Sequence, residues 1–300
     1  MDVFFLSIAG VRIRVDSHCP TATRWLEYLY QSMMGPPGEF HLRYHIRRRP
    51  GGTLQCVRHG QRFVACSKAE FVYEFEKALT ISLERLRYEL LFLHAAVVIR
   101  EGHAHIICGA SGSGKSTTTW ALLRHGFGYA SDELAPIDLA RMRVLAYPHA
   151  LCLKWRPPPP YSLPASSLET ERTIHVAIPH SHGLNGALRA PLPVGSIGFL
   201  QNSADEPAPS IRRIPASEAA VRLYTNTLNA LAHGNDGLNA VVTLASRCDH
   251  LYIINRGGLP ETCELLADFT SNLATAADRR VSQAPGFEPP GAGPQRRSTG

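Results

Sequence analysis

The sequence lacks the ~18 uninterrupted apolar residues that a membrane-spanning helix requires. Its most apolar segment, Leu90 to Ile99, is short and carries His94 in its middle. The amino terminus, Met1-Asp2-Val3-Phe4-Phe5, has neither a basic stretch nor an Ala-x-Ala motif, so no secretory signal and a cytoplasmic location are expected. Paired cysteines are missing as well. The seven cysteines are scattered and never spaced C-x-x-C, which argues against a cysteine-framed zinc site and predicts reduced, mostly buried thiols. No helix-turn-helix, finger or internal repeat accompanies the net charge of +6. Half of that charge lies in the tail from Arg279 onward, so nucleic-acid binding is not expected. Lysine is scarce: Lys68, Lys77, Lys115 and Lys154 are the only four.

What is present is ordinary for a globular chain. With 300 residues, 44% apolar and 19% charged, the sequence can bury a substantial core as one large domain or two modest ones. Residues 1–90 read as a small α+β region. Val11 to Val15 alternates as a strand, and Ala22 to Met33 puts Trp25, Leu26, Leu29 and Tyr30 on one helical face. Strand patterns follow at Phe40 to Ile46, Thr53 to Val57 and Gln61 to Cys66. Ser67-Lys68-Ala69-Glu70 is a capping box, opening a helix to about Leu90 with Phe71, Phe75, Leu79, Leu83, Leu86 and Leu90 as its core stripe.

Residues 91–279 alternate strands with helices, the pattern of an α/β domain. Strands are expected at 97–99, 104–108, 129–131, 195–201 and 251–254, and helices at 116–125, 217–231 and 260–276. Among fourteen histidines, His175, His180 and His182 raise a metal site, but Pro179, Gly183, Asn185 and Gly186 favour a solvated loop there, running to Pro193. Residues 280–300 have little apolar content and are expected to be a disordered tail.

The chemistry concentrates at Gly109-Ala110-Ser111-Gly112-Ser113-Gly114-Lys115-Ser116, which fits the phosphate-binding loop pattern G-x-x-x-x-G-K-[ST]. Glycines let successive backbone N–H groups turn inward and form an anion nest at a helix start, which continues through Thr117. Lys115 would reach the β- and γ-phosphates, and the Ser116 hydroxyl would ligate Mg²⁺. In a chain with four lysines, one at this position is hard to dismiss as background. Asp132-Glu133 follows a short strand seventeen and eighteen residues beyond Lys115. Carboxylates there can face the phosphates and hold the water shell of the metal. Lys154 and Arg156 are further candidates to clamp substrate or phosphate.

Leu93-His94-Ala95-Ala96, the glycine loop and Ser131-Asp132-Glu133 together resemble the C-terminal kinase domain of HPr kinase/phosphorylase. The resemblance covers roughly residues 91 to 156. It implies an α/β, P-loop kinase core with a mixed sheet, of the kind shared with phosphoenolpyruvate carboxykinase. It also implies His94 as the active-site histidine, Lys115 and Ser116 on phosphate and metal, and Asp132 and Glu133 as the acidic pair. Glu133 stands where the family has a second aspartate. The whole-chain layout looks more like the HPr kinase-related branch found beside modified-peptide clusters of the lasso type, whose post-acidic strand Tyr147-Pro148-His149 through Lys154-Trp155 resembles.

The expected activity is therefore an ATP- and Mg²⁺-dependent transfer of phosphate to a serine of a peptide or small protein. A small-molecule kinase, or a nucleotide-binding module that switches or recruits without transferring phosphate, uses the same loop. Neither membrane nor nucleic acid is an expected partner, and the sequence excludes neither a monomer nor a homo-oligomer.

Overall fold

The computed structural model describes residues 1–58, 60–178, 190–202 and 208–282. The chain is mixed α/β, with six α-helices and curled sheets of mixed direction among the described residues.

The first sheet is built from β1 (Asp2–Ile8), β2 (Val11–Ser17), β3 (Met34–Gly35), β4 (Leu42–Arg48), β5 (Leu54–Arg58) and β6 (Gln61–Ala65), in the order β3-β1-β2-β4-β5-β6. Alternation does the work in β2, where Val11, Ile13 and Val15 point into the core. Two helices cover this face. In α1 (Pro20–Leu29), proline fills the first turn, where a missing N–H costs nothing. A 3₁₀ turn, Gln31–Met33, completes the segment expected as one helix. In α2 (Lys68–Leu86), Ser67 Oγ accepts from Glu70 N at 3.1 Å, while Glu70 Oε2 accepts from Cys66 N at 2.6 Å. The capping box thus closes one residue earlier than its standard form. Phe71, Phe75, Leu79 and Leu83 are buried, but Leu86 is exposed and Leu90 is buried beyond the helix end.

The second sheet joins β7 (Leu91–His94), β8 (Ala96–Arg100), β9 (His103–Cys108), β10 (Gly128–Ser131), β11 (Leu134–Asp138), β12 (Arg143–Val144), and, beyond a smaller three-stranded sheet, β16 to β18. That smaller sheet has β13 (Leu151–Leu153), β14 (Leu168–Glu169) and β15 (Ile174–Val176) in the order β13-β15-β14. The long strand β16 (Leu192–Asn202) runs parallel to both β9 and β18 (Leu251–Arg256), while β17 (Ser210–Arg213) is antiparallel to β18. The antiparallel pairs β8–β9 and β8–β10 make the sheet mixed. Helices pack on both faces, so β9 reads as an unbroken apolar run through Ile106-Ile107-Cys108. On one face Ile106 and Phe199 pack with Leu223 of α4 (Ala216–Tyr224) and Val241 of α5 (Leu238–Arg247). On the other, Ile107 and Ile254 pack with Trp120 of α3 (Lys115–Leu122) and Leu266 of α6 (Leu259–Ser282).

The first sheet and the second block share a core: Phe92, Leu134, Tyr147 and Ala150 belong to the same apolar cluster as Phe4, Tyr44 and Phe75. Several expectations are corrected. The helix expected over 217–231 stops at Tyr224, because the next residues serve the outer edge of β7. His94 N donates to Asn226 O at 2.7 Å, Leu228 N to Phe92 O at 2.9 Å, and Phe92 N to Asn229 Oδ1 at 2.9 Å. An edge strand's backbone groups need partners, and that need overrides the helical period. The loop expected up to Pro193 ends earlier, since β16 begins at Leu192. His175 lies buried in β15, not in a solvated loop; His180 and His182 lie outside the described residues. Helix α6 runs on to Ser282, through the first residues assigned to the tail, and residues 283–300 lie outside the described residues. No described helix is long and apolar enough to cross a membrane.

Candidate active site

The site begins where β9 ends. Residues 109–114 form a tight loop, and α3 opens at Lys115. A Cβ at Gly109 would lie 2.7 Å from both Leu200 O and Ser113 Oγ, so no side chain fits. Gly114 adopts φ +94°, and a side chain there would also collide with the Arg256 guanidinium. Lys115 is only 7% exposed, and its ammonium donates to Gly109 O at 2.6 Å and Ala110 O at 3.3 Å. The loop's own carbonyls therefore hold the lysine over the loop. Burial lowers its pKa, against the opposing pull of Cys108, Asp132 and Glu133.

A cleft of about 420 Å³ lies against this loop. Ser111, Gly112, Gly114, Lys115, Ser116 and Thr117 form one wall; His94, Asp132, Glu133 and Lys154 contribute to the others. Gly109, Ala110 and Ser113 instead line a second space of about 450 Å³ on the far side of the loop, with Gln201, Arg222 and Asn226. The expected residues His94, Lys115, Ser116, Asp132, Glu133 and Lys154 thus share the cleft, and Arg156 does not line it.

The two carboxylates part company at a bend. Ser131 Oγ accepts from Glu133 N at 3.2 Å and from Leu134 N at 3.0 Å, a serine turn that breaks β10 from β11. Asp132 turns inward: Oδ1 accepts from the Tyr129 hydroxyl at 2.8 Å and Oδ2 from Cys152 N at 2.9 Å. Burial raises its pKa, while those two donors, the His149 charge and a hydrogen bond from Ser116 oppose the rise. Glu133 is open to the cleft. The surrounding walls, with the negative charges of Glu76 and Asp132, raise its carboxyl to about 7, against His149 and Lys115. Opposite environments for the pair come from this turn, not from strand alternation.

His94 ends β7, half-buried and across from Leu134 of β11. Burial first, then the charges of Lys115 and Lys154, lower its pKa, so the ring is neutral; a hydrogen bond with the Glu133 backbone opposes this. Lys154 donates to Ser111 Oγ at 3.2 Å and so reaches the loop, whereas Arg156 is engaged in an exposed ion pair with Glu169.

Sequence reasoning missed Tyr73 beside the cleft, Arg256 against Gly114, and Glu76 of α2, whose charge acts on Glu133. These lie far from the loop in sequence and carry no local motif. No family model matches the chain, and no curated protein matches it.

Proposed function

We propose that the protein is an ATP- and Mg²⁺-dependent kinase that transfers phosphate to a serine hydroxyl of a peptide or small protein, built on a P-loop kinase core of the HPr kinase-related type. One observation carries this reading: Lys115, Ser116, Asp132, Glu133 and His94 converge on a single cleft beside a glycine loop at the start of a helix. The loop amides and the α3 N-terminus bind the phosphates. Lys115, already held by carbonyls at the loop, transfers its donors to phosphate oxygens when the nucleotide enters.

The residues present fit a magnesium ion. Asp132 is 3% exposed, borders the cleft and is hydrogen-bonded only by neutral donors, so its carboxylate is able to hold a cation there. Ser116 and Asp132 are the residues to hold Mg²⁺, which when bound neutralises charge on the transferring phosphoryl group. Glu133, with a carboxyl near 7, is suited to accept the proton of the serine hydroxyl. Neutral His94 and cationic Lys154 border the space where acceptor and phosphate meet. Most of the rate comes from positioning and charge, as phosphoryl transfer demands little covalent chemistry of the protein.

The test is incubation of the purified chain with Mg-ATP and serine-containing peptides, read by mass spectrometry. A serine phosphopeptide formed with ATP consumption is the expected result. Nucleotide binding without any phosphorylated product would make the chain a binding module instead.

A further inference from the structure

Near the acidic pair, but not lining the cleft, three polar side chains from distant parts of the chain converge in the interior. Glu76 comes from α2, His149 from the segment before β13, and His175 from β15. One donor atom from each lies within 4.8 Å of one from each of the others. His149 and His175 are 2% and 1% exposed. Glu76 Oε1, both ring nitrogens of His149, and Nδ1 of His175 are buried. His149 Nε2 lies 2.9 Å from Glu76 Oε1, an ion-pair contact, whereas His149 Nδ1 and His175 Nδ1 have no partner.

Leaving a buried polar atom unsatisfied is destabilising, and native interiors contain few such atoms. Unpartnered nitrogens on two histidines beside a carboxylate call for a partner that takes one atom from each side chain. We propose that Glu76, His149 and His175 form a zinc site. Two imidazoles and a carboxylate match zinc rather than magnesium or calcium, which prefer all-oxygen shells, and water supplies the fourth ligand. The outer contacts fit as well. His175 Nε2 is 2.9 Å from Thr173 Oγ1, which leaves Nδ1 for the metal, the usual arrangement for a ligating histidine. The imidazoles pack among aromatic and histidine rings, with Tyr30 edge-on to His149 at 4.8 Å and His175 edge-on at 6.1 Å. The ion would pin α2 and the β13-β15-β14 sheet to the segment that feeds the cleft, and would neutralise the Glu76 charge facing Glu133.

The test uses the full chain purified without a metal-affinity step, stripped with chelator and then supplied with zinc. One equivalent retained through dialysis, with a rise in melting temperature, is expected. Cobalt in its place should give the visible absorption of a four-coordinate site. Thr173→Val should fold and weaken zinc by ~10–100-fold. His180→Ala/His182→Ala should retain the zinc. Less than one equivalent with no thermal shift, or zinc lost from the double variant but retained unchanged in Thr173→Val, would overturn the site.

Discussion

Asp16 of the first sheet and Asp132 of the cleft are both buried aspartates, yet they titrate in opposite directions. Asp16 is completely enclosed, and burial alone would raise its carboxyl. Hydrogen bonds from Arg43 and Arg14, the latter at 2.8 Å, and their charges outweigh this and hold it below the usual carboxylate range. Asp132 receives a phenol and a backbone amide, and there burial wins. A carboxylate with its cations built in belongs to the framework. One supplied only with neutral donors keeps unmet charge and attracts a cation that arrives with the substrate. The two aspartates differ in this way: Asp16 is met by two arginines of its own sheet, whereas Asp132 borders the cleft with no arginine or lysine hydrogen-bonded to it.

The comparison is sharpest where chemistry depends on it. Glu133→Gln should leave ATP affinity nearly unchanged and slow single-turnover transfer by roughly 10²–10⁴-fold, the usual cost of losing a general base. An unimpaired rate would remove Glu133 from that role. Lys115→Ala should cost transfer roughly 10²–10³-fold, as for removal of one preorganised donor to developing charge, with an unchanged circular dichroism spectrum. Wild-type turnover by this variant would dissolve the loop assignment. Asp132→Asn should raise the Mg²⁺ concentration for half-maximal transfer on the order of tenfold, since a charged hydrogen bond is worth about 1.5–3 kcal/mol. Asp16→Asn should leave that concentration unchanged. If both substitutions raised it alike, the two aspartates would not be of different kinds.

Much of this site was legible because it is local. The glycine loop, Lys115 and the Asp132-Glu133 pair fall within twenty-five residues, and the structure brings them to one cleft. What the sequence concealed is long-range or blurred. In β1 the buried set is Phe4, Leu6 and Ile8, but Val3 and Phe5 put apolar groups on the other face and mask the alternation. In α5, Leu238 and Val242 are exposed, widening the stripe of Ala240, Val241, Leu244 and Ala245 until it no longer reads as one face. Past α4 the reverse occurs: Leu228 and Leu231 continue a helical period although both are exposed and the chain has turned to pair with β7. No local pattern links Glu76, His149 and His175, since only the tertiary fold makes them neighbours.

The smallest expected effect is on stability, and its sign separates the aspartates most cleanly. Unfolded aspartate titrates near 3.9. The folded carboxyl of Asp16 lies lower, so the unfolded chain binds more protons in acid. Its contribution is complete above about pH 4 and is lost as pH falls through the folded value. Asp16→Asn should therefore destabilise the protein near pH 7 by about 1–3 kcal/mol, and the gap from wild type should close in acid. For Asp132 the folded carboxyl lies higher, so ionisation at neutral pH works against the folded state. The amide of Asp132→Asn can be accommodated: its oxygen accepts from Cys152 N, and its nitrogen donates to Tyr129 Oη, whose one proton then turns to His149 O, 2.8 Å away. This variant should match or exceed wild-type stability near pH 7, and its advantage should shrink toward acid. Urea unfolding of both variants between roughly pH 3 and pH 8 reads the two slopes directly. Relative to its own variant, wild type should gain stability with rising pH at Asp16 and lose it at Asp132; slopes of the same sign would mean that the Asp132 environment already supplies its cation.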